Sequence, residues 1–191
     1  MSDYDSMTES FKTPSQSATT ITELMIPSYA NFGGKVHGGI LLSLMDKVAY
    51  ACASKHSGAY CVTVAVDGVE FLSPVEVGEL VSLTASVHFV GNTTMIVGIQ
   101  VESLQPRTGI VKHTNSCYFT MAAKDENGKL IQVPGLKIET REALIQFCEG
   151  KSIRENSKIN RALLENDMQH MNLDEQIQFC DQERCTIQLN H

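Results

Sequence analysis

Runs rich in Val, Ile, Thr, Tyr and Phe alternate with turn residues through the middle of the chain, a pattern typical of strands. A first short run covers residues 19–25 and ends before Pro27. Four longer runs follow, at residues 61–71, 80–90, 93–104 and 110–122. Gly, Pro, Asn and Ser separate these four runs, with no helical pattern between them. We therefore expect an antiparallel sheet of five or six strands.

One segment has a different pattern, because residues 40–53 are apolar on nearly every side of a helix. Gly58 is expected to end this helix. A helix of this kind is buried on several sides rather than lying on a surface. The sequence thus predicts an α+β fold in which an antiparallel sheet wraps around one long central helix. The alternative, a plain β-sandwich, would not explain the apolar helix.

The two ends of the chain differ from this central part. Residues 1–17 are rich in Ser and Thr, and we expect them to form a mobile leader before a domain at residues 18–136. Residues 137–191 form a polar, helical extension in which Thr140 would cap a helix that Gly150 ends. A helical stripe would follow, packing on the domain, contacting another copy or serving as a regulatory arm; it contains Ile159, Leu163, Leu164, Met168 and Met171.

Composition excludes several classes of protein. The 191 residues carry a formal net charge of −7, which argues against general nucleic-acid binding. No apolar run reaches the roughly 18 residues that a membrane span needs, and the polar N-terminus is unlike a signal peptide. Six cysteines without such a signal indicate a reducing cytoplasmic compartment. Cys180 and Cys185, near His170 and His191, lack regular ligand spacing, so no metal is expected.

Asp46 is the residue that does not fit the apolar helix. The residues three and four positions away are not basic, so no ion pair within the helix can neutralise it; they are Leu42, Ser43, Ala49 and Tyr50. A buried carboxylate without a partner is costly. Asp46 therefore lies either at a solvated edge of the helix or, as a functional carboxylate, in a cleft.

Gly38 and Gly39 lie at the start of the same helix. Their N–H groups, at the positive end of the helix dipole, could hold a carbonyl oxygen or oxyanion, although glycines also serve in close-packed junctions. At 1.5 Å per residue, Gly39 and Asp46 are about 10.5 Å apart along the axis. One helix therefore cannot both hold a carbonyl and attack it. Two antiparallel copies could, which predicts a homodimer with two shared sites.

The combined pattern of Asn31, His37, Gly38, Gly39 and Asp46 resembles the acyl-CoA thioesterases of the hotdog superfamily. The similarity covers roughly residues 18–136 and continues at residues 62–79, 91–103, 108–123 and 133–136. It is strongest toward the broad-range bacterial acyl-CoA hydrolases and the cytosolic acyl-CoA hydrolases of animals. The resemblance implies a hotdog fold, hydrolysis of acyl-CoA to a free acid and CoA at a dimer interface without a cofactor, and assembly into trimers of dimers.

The resemblance also implies roles for individual residues. Asp46 matches the catalytic acid, acting as general base on water or attacking directly to form an anhydride. Gly38 matches the residue whose N–H polarises the thioester carbonyl, with Gly39 beside it. Asn31 matches a loop Asn that would orient water or substrate, unless it merely caps a turn. His37 is either a base or, at the helix entrance, a backbone contact.

Substrate binding needs further groups. Thr63 and Thr94 offer hydroxyls, and Thr94 replaces a Ser that relatives often have. CoA is anionic whereas the protein is acidic, so local basic groups must hold it; the candidates, each otherwise a solvated surface charge, are Lys55, His56, Arg107 and Lys112. Two alternative functions use the same cleft. One is a non-catalytic acyl- or CoA-binding module, and the other is a hydroxyacyl-thioester dehydratase with His37 as its base.

Overall fold

The computed structural model describes residues 10–181 and 183–189, without the side chains of residues 166–169. The chain divides into two compact units, Met1–Ile153 and Arg154–His191. The elements, in chain order, are β1 (Phe11–Lys12), α1 (Pro14–Ser17), β2 (Thr19–Leu24), a 3-10 turn (Pro27–Tyr29), α2 (Gly38–Ser57), β3 (Tyr60–Phe71), β4 (Leu80–Val90), β5 (Thr94–Gln105), β6 (Ile110–Lys124), β7 (Gly135–Leu136), α3 (Arg141–His170) and α4 (Leu173–Phe179).

Five of these strands form one antiparallel sheet in the order β2-β4-β5-β6-β3. The strand positions predicted from the sequence are confirmed to within two residues. Helix α2 packs against this sheet and ends at Gly58, whose φ of 71° is in the left-handed region that glycine adopts without strain. The predicted sheet around one long helix is therefore confirmed, with β3 as an edge strand.

The core lies between α2 and the sheet. One face of α2 is fully buried, with Met45 and Val48 at its centre, and it meets Val97 and Phe119 from the middle strands. Each such side chain contributes about 1.5–3 kcal/mol by leaving water. The opposite face of α2, which includes Leu42, is exposed in the single chain. The prediction of burial on several sides is thus confirmed for one side of the helix only.

Residues 10–17 form part of the first unit, which corrects the prediction that the leader is mobile as far as residue 17. Strand β1 pairs in parallel with β7. Lys12 Nζ donates hydrogen bonds to the carbonyls of Lys55 (3.1 Å) and His56 (2.6 Å) in the last turn of α2. A lysine there satisfies carbonyls that have no partner within a helix. The residues before position 10 lie outside the described part.

Helix α3 begins where the sequence predicts, because Thr140 Oγ1 accepts a hydrogen bond from Ala143 N at 3.1 Å. The prediction that Gly150 ends it is wrong, since α3 continues to His170. A Cβ at position 150 would lie 2.8 Å from Phe89 Cβ, so glycine is present because α3 and β4 approach closely. The first compact unit extends to Ile153, whereas the domain predicted from the sequence ends at residue 136.

The second unit contains the rest of α3 and α4. Asn172 and Glu175 form a reciprocal cap at the start of α4, with hydrogen bonds of 3.0 and 2.8 Å. The predicted apolar stripe is exposed at Ile159, Leu163 and Leu164. The side chain of Met168 lies outside the described part. No described helix combines the length and the apolar character that crossing a membrane requires.

Candidate active site

Asp46 lies on the exposed face of α2 and has a partner that its own helix does not supply. Thr63 Oγ1, on β3, donates a hydrogen bond to Asp46 Oδ1 at 2.6 Å. The same hydroxyl lies 3.5 Å from Met121 Sδ, at the boundary with the core. The structure therefore corrects the expectation of a carboxylate without a partner. It brings together Asp46 and Thr63, which the sequence placed in separate roles.

A groove of about 340 Å³ opens beside this pair. Its lining includes Lys47, Tyr50, Tyr60 and Val62 in addition to Asp46 and Thr63. The rings of Tyr50 and Tyr60 meet edge to face with centroids 6.1 Å apart. Sequence reasoning missed both tyrosines, although Tyr50 follows Asp46 by one helical turn and so lies on the same helix face. The groove offers aromatic and apolar surface next to a carboxylate.

The start of α2 has one N–H group without a partner among the described residues. Of the four N–H groups that a helix start leaves unpaired, three are satisfied within the chain. His37 N donates to Tyr29 O (2.8 Å), Gly39 N to His37 Nδ1 (2.9 Å) and Ile40 N to His37 O (2.9 Å). Within the described residues, Gly38 N–H makes no hydrogen bond. The expectation that both glycines offer a free N–H is corrected, because the His37 ring occupies that of Gly39.

Asn31 lies in the loop before α2, and its two amide atoms differ. Its Oδ1 accepts hydrogen bonds from Gly33 N at 2.8 Å and Lys35 N at 3.1 Å, which is the turn-capping role. In the described part of the chain, Nδ2 donates no hydrogen bond. The neighbouring Phe32 is fully exposed at the loop tip. Only the Nδ2 group of Asn31 is therefore available to a substrate or a water molecule.

Two of the basic residues predicted to hold CoA contact the N-terminal segment of the chain. His56 is fully buried, with Nε2 3.0 Å from Pro134 O and Nδ1 3.4 Å from Ser17 Oγ. Burial lowers its pKa, so the ring is neutral near pH 7. Lys55 Nζ donates to Ala18 O and Thr19 Oγ1. The prediction for His56 is wrong, since its ring is buried against the N-terminal segment. Lys55 is exposed and also contacts this segment, and its role in binding CoA stays a prediction.

Lys112 is also engaged, through an ion pair of 2.9 Å with the buried Glu79. Desolvation is the largest single effect and raises the pKa of Glu79, but the hydrogen bonds from Lys112 and from Glu76 N, together with the charge of Lys112, outweigh it and lower the pKa overall. Arg107 is exposed in the turn between β5 and β6 and stays a candidate for CoA.

Thr94 is not part of the Asp46 site. Thr63 pairs with Met121, and Met121 pairs with Met95 on the next strand, so these three side chains share the helix-facing side of the sheet. Thr94 directly precedes Met95 and pairs with Ala122, which in turn pairs with Val62 on β3. Because successive residues of a strand point to opposite faces, Thr94 lies on the outer face.

The described residues contain no group of three or more His, Cys, Asp or Glu side chains placed to hold a metal ion. Cys180 and Cys185 are free thiols. His191, which the sequence placed near them, lies outside the described part.

Comparison with known proteins connects this geometry to a family. The profile of the Thioesterase superfamily matches residues 33–110. Protein VdlD of Helicobacter pylori is 47% identical over 127 residues, covering 66% of this chain and 72% of VdlD. The human cytosolic acyl coenzyme A thioester hydrolase is 30% identical over 141 residues, covering 73% of this chain and 37% of that protein.

Solved structures agree with this similarity. An apo-hexameric acyl-CoA thioesterase superposes with a TM-score of 0.78 at 32% identity, covering 81% of this chain and 99% of the other. An acyl-CoA hydrolase from Staphylococcus aureus, in complex with butyryl coenzyme A, coenzyme A and coenzyme A disulfide, gives 0.77 at 26% identity, covering 84% and 98%. The chain therefore belongs to the Thioesterase superfamily, among its hotdog-fold acyl-CoA thioester hydrolases.

Three variants of the Staphylococcus aureus hydrolase, each with one residue replaced by alanine, have solved structures of the same fold. The replaced residues are an Asn, an Asp 15 positions later and a Thr 17 positions after that. Asn31, Asp46 and Thr63 have the same two spacings in this chain.

Proposed function

We propose that this chain hydrolyses fatty acyl-CoA to a free acid and CoA at a site shared by two copies. The observation that supports this most directly is the Asp46–Thr63 pair beside an open groove. In the same fold, Gly38 N–H at the start of α2 has no partner among the residues that the structure describes. A carboxylate aimed into a groove and a free N–H at a helix N-terminus are what hydrolysis of a thioester needs.

The reaction divides between these groups. Gly38 N–H, at the positive end of α2, polarises the thioester carbonyl and stabilises the oxyanion that forms on it. Asp46 either takes a proton from an attacking water or attacks the carbonyl itself to form an anhydride that water then opens. In both routes the C–S bond breaks and one water is consumed over the cycle. One proton of that water passes to the departing sulfur, which leaves as the thiol of CoA, and the remaining OH completes the acid. The scheme needs no cofactor.

The shared site follows from helix geometry. Gly38 and Asp46 are eight residues apart on α2, about 12 Å along its axis, and one carbonyl cannot reach both. The exposed apolar surface needed for a partner lies next to Asp46, at Tyr50 on α2 and at Val64 and Val66 on the edge strand β3. Two copies related by a two-fold axis would bury these side chains and place each Asp46 near the other copy's Asn31 and Gly38. The hexameric relatives support a trimer of such dimers.

The acyl chain and the CoA moiety of the substrate would contact different surfaces. The rings of Tyr50 and Tyr60 give the groove apolar surface suited to an acyl chain. Arg107 is the candidate for the phosphates of CoA. The chain's similarity to a human protein named as cytosolic supports a cytosolic location.

The test is release of free thiol from acetyl-, butyryl- and palmitoyl-CoA by the wild type and by Asp46→Asn. We expect turnover by Asp46→Asn to fall by roughly 10²- to 10⁴-fold, because an amide cannot act as a base. Glu126→Gln, which likewise converts a carboxylate to an amide but at an exposed turn residue, should keep full activity. Near-normal turnover by a folded Asp46→Asn protein would contradict the proposed role. Binding without thiol release by the wild type would favour a non-catalytic module.

The dehydratase alternative predicts a different product. It would consume a hydroxyacyl-CoA without releasing thiol. Its base would be His37, but Nδ1 of that ring is occupied by Gly39 N–H.

A further inference from the structure

The two glycines at the start of α2 lie close to different neighbours. A Cβ on Gly39 would lie 3.0 Å from His37 Nδ1 and 3.2 Å from His37 Cε1. A Cβ on Gly38 would instead lie 3.2 Å from Cζ of Phe71. Gly39 thus lets the His37 ring close over its N–H, whereas Gly38 keeps its own N–H open beside an aromatic ring.

The His37 contact has a defined protonation state. Nδ1 accepts the hydrogen bond from Gly39 N at 2.9 Å, so it carries no proton, and the proton of the neutral ring is on Nε2. A helix cap is usually Ser, Thr, Asp or Asn, and histidine is not among the preferred residues. Compared with Asp, a neutral ring satisfies the N–H without placing a negative charge where an oxyanion must form.

We propose that His37 is a positioning residue that occupies Gly39 N–H and so directs the substrate's carbonyl oxygen to Gly38 N–H. The inference rests on the proposed hydrolase function. With Gly39 N–H free, the oxygen could sit between two donors one residue apart, displaced from the line toward the carboxylate. Because the neutral His37 ring occupies Gly39 N–H, Gly38 N–H remains as the donor, and the positive end of the helix dipole stays available to the oxyanion.

Three substitutions of His37 test the effect of the capping hydrogen bond separately from the effect of charge at that position. His37→Asn offers a neutral side-chain oxygen to the same N–H, His37→Asp offers a charged one, and His37→Ala offers none. We expect His37→Asn to retain most of kcat and to unfold at a temperature close to that of the wild type. His37→Asp should also unfold no lower than the wild type, because an anion at a helix start is stabilising, yet its kcat should fall roughly 10- to 100-fold. His37→Ala should lose both kcat and thermal stability.

The experiment measures kcat, KM and unfolding temperature for the three variants with the same acyl-CoA. His113→Asp makes the same change at an exposed histidine on β6 and should alter neither kcat nor KM. A structural cap alone would predict equal activity for His37→Asn and His37→Asp, and that result would overturn the proposal. So would a loss confined to KM in His37→Asp, or an unchanged kcat in His37→Ala. A wild type without hydrolysis would instead overturn the proposed function, and this inference with it.

Discussion

Thr63 orients the carboxylate of Asp46 through one hydrogen bond of 2.6 Å. Both side chains are exposed in the single chain, so this bond contributes to geometry more than to stability. Its donor lies on β3 while its acceptor lies on α2, which ties the carboxylate to the sheet. The pair therefore joins the two elements that line the groove.

Removing this hydroxyl should lower turnover without unfolding the protein. Thr63→Val keeps the shape of the side chain but cannot hold Oδ1 of Asp46, so we expect kcat to fall roughly tenfold, since a misoriented base is a poor one. Thr63→Ser retains a hydroxyl and should stay within a few-fold of the wild type. The measurement is thiol release under saturating substrate. Equal activity of the Val and Ser variants would show that this hydrogen bond has no role in turnover.

The two functions of Asn31 can be separated in the same way. Asn31→Asp keeps an oxygen to accept from Gly33 N and Lys35 N but loses the Nδ2 donor, so the loop should persist while turnover falls. Asn31→Ala should lose turnover and also lower the unfolding temperature, because the capping bonds to the loop disappear. Activity assays and thermal unfolding on both proteins check this. Full activity in Asn31→Asp would reduce Asn31 to a turn cap.

The sequence pattern predicts a candidate site where a residue breaks a local rule. Asp46 was identifiable because a carboxylate interrupts an apolar helix, and Gly38 because it opens that helix. His56 was mispredicted because a basic residue at a helix end has the same pattern whether it faces solvent or a neighbouring segment. The contacts that decide between the two come from residues 12–19 and 134, which are distant in sequence.

The outer face of the sheet contains an element that sequence reasoning did not describe. The β4–β5 register shifts between Val87 and Phe89, leaving His88 as an extra residue whose ring lies over Gly98. Helix α3 covers this bulge. Tyr118 and Glu149 are its polar neighbours, and Nε2 of His88 lies 3.1 Å from Ser86 Oγ. Burial lowers the pKa of His88 to about 4 from 6.5.

The lowered pKa of His88 predicts that the protein loses stability in acid. Between pH 6.5 and about 4 the unfolded chain binds a proton at His88 that the native protein does not, so the free energy of unfolding decreases as the pH falls. His88→Gln should remove this contribution, which amounts to at most about 3 kcal/mol across the interval. Urea unfolding at several pH values and one protomer concentration measures it. Identical pH dependence in both proteins would contradict the assignment.

Gly150 tests the contact between α3 and β4. In an exposed helix interior, Gly→Ala stabilises by about 1 kcal/mol. At position 150 we expect the opposite sign, a loss of about 1–3 kcal/mol, because the new Cβ would lie 2.8 Å from Phe89 Cβ. Denaturant unfolding gives the sign directly. Asn156→Ala, at an exposed position of the same helix, should be neutral or slightly stabilising, and a stabilising Gly150→Ala would refute the close contact.

Regular elements were predictable wherever burial gives the sequence a recognisable hydrophobic pattern. Strands β2 to β6 follow from their β-rich runs, and α2 follows from an apolar segment closed by a glycine. Strand β1 and helix α1 were not predictable, since they are short and depend on Lys12 binding the end of α2. Gly150 was misinterpreted because glycine marks both helix ends and close contacts.

At the scale of the whole molecule, the single chain leaves an apolar surface beside its candidate site. Leu42 and Tyr50 on α2, Val64 and Val66 on β3, and Phe32 at the loop tip are all exposed. Edge strands with exposed apolar side chains invite pairing with another chain. Burial of this surface between two copies would also remove water from around Asp46 and strengthen its interactions there.

The cross-chain arrangement predicts that two variants of low activity restore each other. Asp46→Ala removes the carboxylate, and Asn31→Asp removes the donor on the loop that would serve the partner's carboxylate. In a mixed dimer, one site then carries both lesions while the other carries none. After random exchange of equal amounts, half of the dimers are mixed and each has one intact site, so activity should reach about a quarter of the wild type. Thiol release before and after subunit exchange measures this.

The control uses two lesions that cannot complement. Asp46→Ala mixed with Asp46→Asn leaves every site without a carboxylate, and activity should stay at the level of the parents. If every site lay within one chain, the Asp46→Ala and Asn31→Asp mixture would also stay inactive, because each chain would keep its own lesion. Verified mixed dimers without activity would therefore refute the shared site. Since about 12 Å of helix separates Gly38 from Asp46, the carbonyl would then have to be polarised by a group other than Gly38 N–H.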